Sequence, residues 1–158
     1  MQKITPFLWF NDDAEEAVHF YVSTFPNSRV VSTSRYGEAG PGPKGSVMTM
    51  EFEMHGQRFV ALNGGPKFKF TEAVSFVVKC ESQEEIDRTW DKLVAGGGQP
   101  AQCGWLKDRY GLSWQVVPTV LSQLMTDPDP ERAKRVMEAM LKMVKIEIRG
   151  LEDAYAHV

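Results

Sequence analysis

Apolar positions along this chain switch between a period of two and a helical period, and they do so twice in the same order. Ile4–Phe10, ITPFLWF, is short and rich in aromatics, which predicts a half-buried strand. Asp12 then stands as a helix N-cap with Glu15 as the returning partner. Ala14, Ala17, Val18, Tyr21 and Phe25 fall on one face at helical spacing, and Pro26-Asn27 ends the helix. A second, weaker copy runs over Val74–Val94. There Ser82 and Glu85 form a capping box, Ile86, Trp90, Leu93 and Val94 make the inward stripe, and Gly96-Gly97-Gly98 stops the helix. A strand–helix unit that recurs once points to two similar modules sharing one core.

Between the copies, Val30–Arg35 reads as a strand that runs into Tyr36–Gly45, YGEAGPGPKG. Gly40, Gly42 and Gly45 make a formal G-x-G-x-x-G, but Pro41 and Pro43 interrupt it and a strand follows instead of a helix, so dinucleotide binding is rejected. Lys44 is no Walker lysine either, since Pro43 separates it from Gly42. The segment reads as a mobile connection or, in a functional variant, a lid over a pocket. Ser46–Met54 alternates, with Met48, Met50, Phe52 and Met54 on one face and Thr49, Glu51 and Glu53 on the other; His55-Gly56 is a two-residue hairpin turn and Gln57–Asn63 returns. Glu51 and Glu53 belong on the wet side of an antiparallel sheet, and become candidate proton-transfer carboxylates only if that side faces a cavity. Asn63-Gly64-Gly65-Pro66 closes the first half, and Lys67–Thr71 crosses to the second.

Beyond the second helix, Gln99–Lys107 and Leu112–Pro118 read as a hairpin about Asp108–Gly111. Val120–Met125 suits a short helix, and Pro130 suits the first position of another. That helix carries a stripe of Ala133, Val136, Met137, Met140 and Val144, with Met137, Met140 and Met143 as core or dimer filler. Val144–Ile148 returns to alternation and predicts a short edge strand, and Leu151–Val158 reads as a frayed end or last helical turn.

The length of 158 residues fits one domain, or two small half-domains fused through a common sheet; 42% hydrophobic and 25% charged residues fill a core and keep a polar surface. A net charge of −3 without a Lys/Arg cluster argues against nucleic acid or an anionic membrane as partner. No apolar run approaches the roughly 20 residues that span a bilayer. The first strand begins so early that no signal peptide is expected. Cys80 and Cys103 form no CxxC, and a cytoplasmic protein with reduced thiols is the expectation.

Metal and nucleophile chemistry find little support. His19 lies beside the buried stripe of the first helix, His55 in a hairpin turn and His157 in the tail; there is no HExxH and no G-x-S-x-G, and neither cysteine has a histidine nearby in sequence. What remains is a set of aromatic and amide side chains: Trp9, Asn63, Trp105, Tyr110, Trp114 and Gln115. Strand period puts Thr5, Phe7 and Trp9 on one face, opposite Ile4, Leu8 and Phe10, and likewise Ser75 and Val77 opposite Val74, Phe76 and Val78. The Ile4/Leu8 and Val74/Phe76/Val78 face takes the helices. The other is concave, with Thr5 and Ser75 at matching depths. Such a surface suits a small organic ligand oriented by a few hydrogen bonds.

These residues resemble a known family. Phe7-Leu8-Trp9-Phe10, Ala14, Ala17 and Phe20-Tyr21 resemble the opening strand and helix of the vicinal oxygen chelate (glyoxalase/bleomycin-resistance/dioxygenase) superfamily. Asn63-Gly64-Gly65-Pro66, Cys103–Asp108 and Tyr110–Gln115 are similar to its PhnB-like, demethylubiquinone 3-methyltransferase-like branch. The resemblance implies an α+β fold of paired βαβββ modules forming a cup-shaped mixed sheet, helices on the outer face, with a C-terminal helical addition. It also implies a homodimer. Module one is expected over about 1–66, module two over 67–118 and a helical extension over 119–158 of a single domain. Metal-using members place His on a module's first strand and Glu on its last; the matching positions here hold Thr5, Ser75, Asn63 and Gln115. Amides and hydroxyls do not replace imidazole and carboxylate around a metal ion, so no metal and no cofactor are expected. The expected function is binding or transformation of a small molecule at Trp9, Trp105 and Trp114, with Asn63 and Gln115 as anchors. The alternatives are a metal-dependent glyoxalase or dioxygenase-type enzyme, a ligand-sequestering resistance protein, or a methyltransferase.

Overall fold

Helical and strand periods sort into two units, Met1–Phe70 and Thr71–Val158, in a computed structural model that describes residues 2–157. Met1 and Val158, the outermost residues of the first module and of the expected tail, lie outside the described residues.

The first unit runs β1 (Phe7–Phe10), α1 (Ala14–Thr24), β2 (Arg29–Arg35), β3 (Val47–Met54) and β4 (Gln57–Asn63). The strands order as β1-β4-β3-β2, with β1 parallel to β4 and the other pairs antiparallel. Ala14, Ala17, Val18, Tyr21 and Phe25 are all buried, as their spacing predicts. Opposite them, Leu8, Phe10, Met50, Phe52, Met54, Phe59 and Ala61 are buried, and the Tyr21 and Phe52 rings stack at 6.3 Å. Each large side chain so buried contributes about 1.5–3 kcal/mol. β1 starts three residues later than expected. Pro6 has no N–H to give a ladder and only accepts from Val60 N, at 3.0 Å, while Ile4 stays 87% exposed. The β3–β4 turn has His55 and Gly56 both left-handed, at φ 49° and 78°, the backbone that a two-residue hairpin of matching twist requires.

The second unit repeats this plan with β5 (Ser75–Cys80), α2 (Gln83–Val94), β6 (Gln99–Pro100), β7 (Trp105–Lys107) and β8 (Ser113–Pro118), ordered β5-β8-β7-β6 with β5 parallel to β8. Both sheets are therefore mixed and four-stranded. Ser82 Oγ accepts from Glu85 N at 3.2 Å, and the Glu85 carboxylate returns to the N–H of Glu81. Thr89, not Val94, completes the buried stripe of Ile86, Trp90 and Leu93. Val74 precedes β5 and is 63% exposed, so only Phe76, Val78 and Cys80 share the helix face. The expected single strand over Gln99–Lys107 is broken, because Cys103 and Gly104 both turn left-handed between β6 and β7.

Three helices follow: α3 (Val120–Met125), α4 (Pro130–Leu141) and α5 (Ile148–Ala156). Asp129 Oδ1 accepts from Glu131 N and caps α4, whose first residue is Pro130. Val136, Ile146 and Leu151 form the buried centre, with Leu121, Leu124, Met125, Met140, Met143 and Tyr155 around it. The edge strand expected at Val144–Ile148 is absent. Met143 O and Val144 O accept single bonds from Cys103 N and Gly104 N, and the chain then turns into α5. The tail is no frayed end, since Leu151 anchors α5 in that core. Gln83 fastens the addition to α2: its Oε1 accepts from Ile148 N and its Nε2 donates to Ile146 O. Among the described residues no helix is long and apolar enough to cross a membrane.

Candidate functional site

Each sheet has a face turned away from its helix, called here the free face, and strand parity decides what it presents. In the first unit that face holds Phe7, Trp9, Thr49, Glu51, Glu53, Arg58, Val60 and Leu62. Glu51 accepts from Arg58 Nη1 at 3.0 Å, and Glu53 accepts from Arg58 Nε at 3.2 Å and Arg29 Nε at 3.1 Å. Both carboxylates are thus held in ion pairs with guanidinium groups. Trp9 donates from Nε1 to Gly65 O at 2.9 Å, and its ring lies so close over Gly64 that a side chain there would collide with it. Phe68 meets the same indole edge-on at 5.0 Å. Thr5, ahead of β1, is exposed and outside the sheet.

Asn63 sits on the other side of β4, at the parity of Phe59 and Ala61, and closes the entry to α1. Its Oδ1 accepts from Ala14 N at 2.8 Å, its Nδ2 donates to Val47 O at 3.1 Å, and its own carbonyl accepts from Tyr36 OH at 2.5 Å. The helix cap that sequence spacing assigns to Asp12 is therefore supplied from β4. Asp13 holds the N-cap position without a side-chain cap bond, and burial pushes its carboxyl above the usual range. Tyr36 is buried, and Gly40 and Gly42 lie against its ring with no room for a side chain, so the Gly/Pro segment is wrapped on this tyrosine. Pro41, Gly42 and Pro43 form one wall of a cavity of 250 Å³, with Asn11, Asp12, Asn63, Gly64 and Gly65 opposite. Ligand cavities usually begin at about 300 Å³. Two of its backbone donors are also committed, since Gly64 N and Gly65 N already donate to Phe10 O and Asn11 O. Asn63→Ala removes the α1 cap and frees Val47 O; we expect a loss of about 1–3 kcal/mol in urea unfolding.

In the second unit the free face carries Ser75, Val77, Trp105, Lys107, Ser113 and Gln115, because Ser75 pairs with Ser113, Val77 and Trp105 with Gln115, and Lys107 with Ser113. Gln115 Nε2 donates to Ser75 Oγ at 2.9 Å. Ser113 is 1% exposed and its Oγ has no hydrogen-bond partner. Lys107 Nζ pairs with Glu72, both side chains half open to solvent. Trp114 lies on the opposite face, 2% exposed, meeting Phe76 edge-on at 5.5 Å and donating from Nε1 to Asp108 Oδ2 at 2.9 Å. Tyr110 is half-buried in the β7–β8 turn, where its N–H donates to Asp108 Oδ1 at 2.8 Å. Of the candidates read from sequence, then, Ser75, Trp105 and Gln115 share one face, Trp9 stands on the free face of the other sheet, and Asn63, Trp114 and Tyr110 serve the framework. Lys107 and Ser113 were missed, although the parity of Ser113 with Gln115 was available in the sequence.

Among the described residues no three His, Cys, Asp or Glu side chains come together to hold a metal ion. On the second unit's free face the donors are hydroxyl and amide, which do not fit a divalent cation. Cys80 is fully buried, and burial pushes its thiol up to about 11, which leaves it protonated and inert near neutrality.

A family profile described as 3-demethylubiquinone-9 3-methyltransferase matches residues 2–117, which takes in both sheets. The chain belongs to that family. Within the vicinal oxygen chelate superfamily this is the PhnB-like branch, and the PhnB protein of Bacillus cereus is 42% identical, over 75% of this chain and 100% of its own, with a TM-score of 0.68. Protein PA1353 of Pseudomonas aeruginosa is 21% identical over 75% of this chain and 98% of its own, with a TM-score of 0.62. FosX of Listeria monocytogenes, a fosfomycin resistance protein solved with Mn(II) and sulfate, is 14% identical over 78% of this chain and 97% of its own, at a TM-score of 0.52. These last two share the fold. No curated protein matches the chain. The family profile stops at residue 117, so the three C-terminal helices of this PhnB-like chain lie beyond the matched region.

Proposed function

We propose that this PhnB-like protein binds a small organic molecule on the free face of its second sheet, by hydrogen bonding and without a metal. The observation that carries the reading is the Gln115–Ser75 pair. At the parity from which metal-using relatives are expected to send charged ligands, an amide donates to a hydroxyl at 2.9 Å. Gln115 keeps its carbonyl oxygen as acceptor and Ser75 keeps its proton as donor, while Trp105, directly across from Gln115, supplies an aromatic wall. An amide–hydroxyl pair orients a carbonyl or hydroxyl group at little desolvation cost. It polarises that group far less than a Lewis acid does, which favours recognition over turnover. The expected homodimer and cytoplasmic setting are part of the same proposal.

The methyltransferase activity in the family's description has less to stand on in this chain. The glycine-rich segment around Gly40–Gly45 is wrapped on Tyr36 and leads into strand β3, not into a helix whose N-terminus could receive a cofactor. Glu51 and Glu53, the carboxylates available for an enzymatic reading, are bound by Arg58 and Arg29.

A screen of neutral aromatic fragments by two-dimensional NMR tests the proposal. We expect hits to move the Gln115 side-chain amide and the Trp105 indole N–H, and Gln115→Ala to weaken them about tenfold, the worth of one good hydrogen bond. Binding that needs added Mn(II) or Zn(II), or that ignores Gln115→Ala, would refute it.

A further inference from the structure

Resting on that reading, we infer that the ligand carries an anionic oxygen, and that Ser113, Ser75 and Lys107 form the end of the free face that receives it. Three observations lead there. Ser113 Oγ is buried and unpartnered in a chain where this is true of no other side-chain N or O atom among the described residues. A hydroxyl left so costs about 1–3 kcal/mol, so its position in a row of donors asks for a partner. Ser75 and Lys107 are its direct register neighbours on β5 and β7, one on each side, which puts all three side chains on one face with Ser113 between the other two, about 5 Å from each at Cβ. Together they offer two hydroxyl protons and an ammonium, a donor set matched to carboxylate oxygens and poorly matched to an amine or a bare hydrocarbon.

Lys107 is engaged by Glu72, but that pair is exposed on both sides, 42% and 61%. Exposed pairs are worth about 0–1 kcal/mol, whereas a charge-assisted bond made beside a buried hydroxyl is roughly twice as strong as a neutral one. A ligand anion therefore competes for the ammonium on favourable terms. Glu72 acts as the placeholder that keeps Lys107 over the face when no ligand is bound. Trp105, next along β7 on the same side, is placed to cover an apolar body attached to that anionic head.

Benzoate and its neutral analogue benzamide are the probes, followed through Trp105 and Gln115 resonances in the full chain. Benzoate is expected to bind about tenfold more tightly than benzamide, with the difference shrinking as salt rises. Lys107→Met should bring benzoate down to the benzamide level, and Glu72→Gln should strengthen benzoate severalfold by releasing the ammonium. Ser113→Ala should weaken benzoate while leaving the melting temperature equal or higher, because it removes an unpaired buried hydroxyl; a purely structural serine would show no benzoate effect. Equal binding of the two probes with both lost in Gln115→Ala overturns the anion inference and leaves the proposed function standing. A benzoate preference untouched by Lys107→Met and Ser113→Ala also overturns it. Failure of both probes to move these resonances counts against both.

Discussion

Asp108→Ala is expected to lower the stability of the second unit by about 3–5 kcal/mol, because it removes at once the acceptor of three donors, two of them buried. The carboxylate is 3% exposed. Its Oδ1 accepts from Tyr110 N at 2.8 Å and Leu112 N at 3.1 Å, and its Oδ2 accepts from Trp114 Nε1 at 2.9 Å. One side chain thus shapes the β7–β8 turn and holds the largest ring of the helix face in place. Because β8 alternates, Trp114 fixed inward is what presents Ser113 and Gln115 on the free face. The mutation should therefore reach the proposed ligand site from behind. We expect weaker near-ultraviolet circular dichroism from Trp114, a urea midpoint well below wild type, and weaker fragment binding in the fraction that stays folded. Asp108→Asn keeps one acceptor oxygen and should lose less. A loss of under about 1 kcal/mol for the alanine variant would mean that water replaces the carboxylate, and that the turn holds itself.

What the sequence made legible follows from where each interaction sits. Helix stripes and strand parity are local, so Ala14, Ala17, Val18, Tyr21 and Phe25, and likewise Met50, Phe52 and Met54, read correctly before any coordinates. Periodicity showed a strand–helix unit that recurs once, the resemblance implied the paired βαβββ plan, and the family resemblance is confirmed by the profile over residues 2–117. Caps and turns were harder, because their partners are distant. Asn63 looked like a ligand anchor at a strand end, yet its amide caps a helix 49 residues earlier. Trp114 looked like its neighbour Gln115, but one step along a strand reverses the face, and only the bond to Asp108 shows which side is the core. The pattern over Val144–Ile148 alternates as a strand does. Backbone bonds from Cys103 and Gly104, and the capping of Ile148 by Gln83, decide otherwise. Glu51 and Glu53 were rightly placed opposite the methionine face, but the arginines that occupy them come from β2 and β4. The proposed site was thus partly visible as residue types and invisible as a donor set, since Lys107 and Ser113 gain meaning only from cross-strand register.

That register depends in turn on one residue of the β6–β7 loop. Gly104→Ala is expected to cost about 2–4 kcal/mol, from a left-handed backbone that alanine resists and a collision that cannot relax cheaply. Gly104 has φ 84°, and a methyl group in place of its hydrogen would lie 2.8 Å from Val116 O and 3.0 Å from Ile146 Cγ1. The first of these is backbone of β8, locked in its ladder, and the second belongs to the core of the C-terminal helices. Gly104 also donates to Val144 O at 2.7 Å and accepts from Val116 N at 2.8 Å, so it joins the sheet and the helical addition through its own backbone. Trp105 follows immediately. A shift at residue 104 therefore moves the aromatic wall of the proposed site as well as the seat of α5. We expect faster amide exchange at Cys103, Gly104 and Ile148, earlier proteolysis within the C-terminal helices, and altered Trp105 fluorescence. Ile146→Ala is the matched control: it empties part of the same core, at about 2–5 kcal/mol, without touching the backbone of β8. If the control loosens the helices while leaving Trp105 unchanged, and Gly104→Ala disturbs both, the loop is the hinge point between framework and site. Should Gly104→Ala behave as wild type in all three measurements, the close packing of residue 104 against β8 is not what holds Trp105 in place.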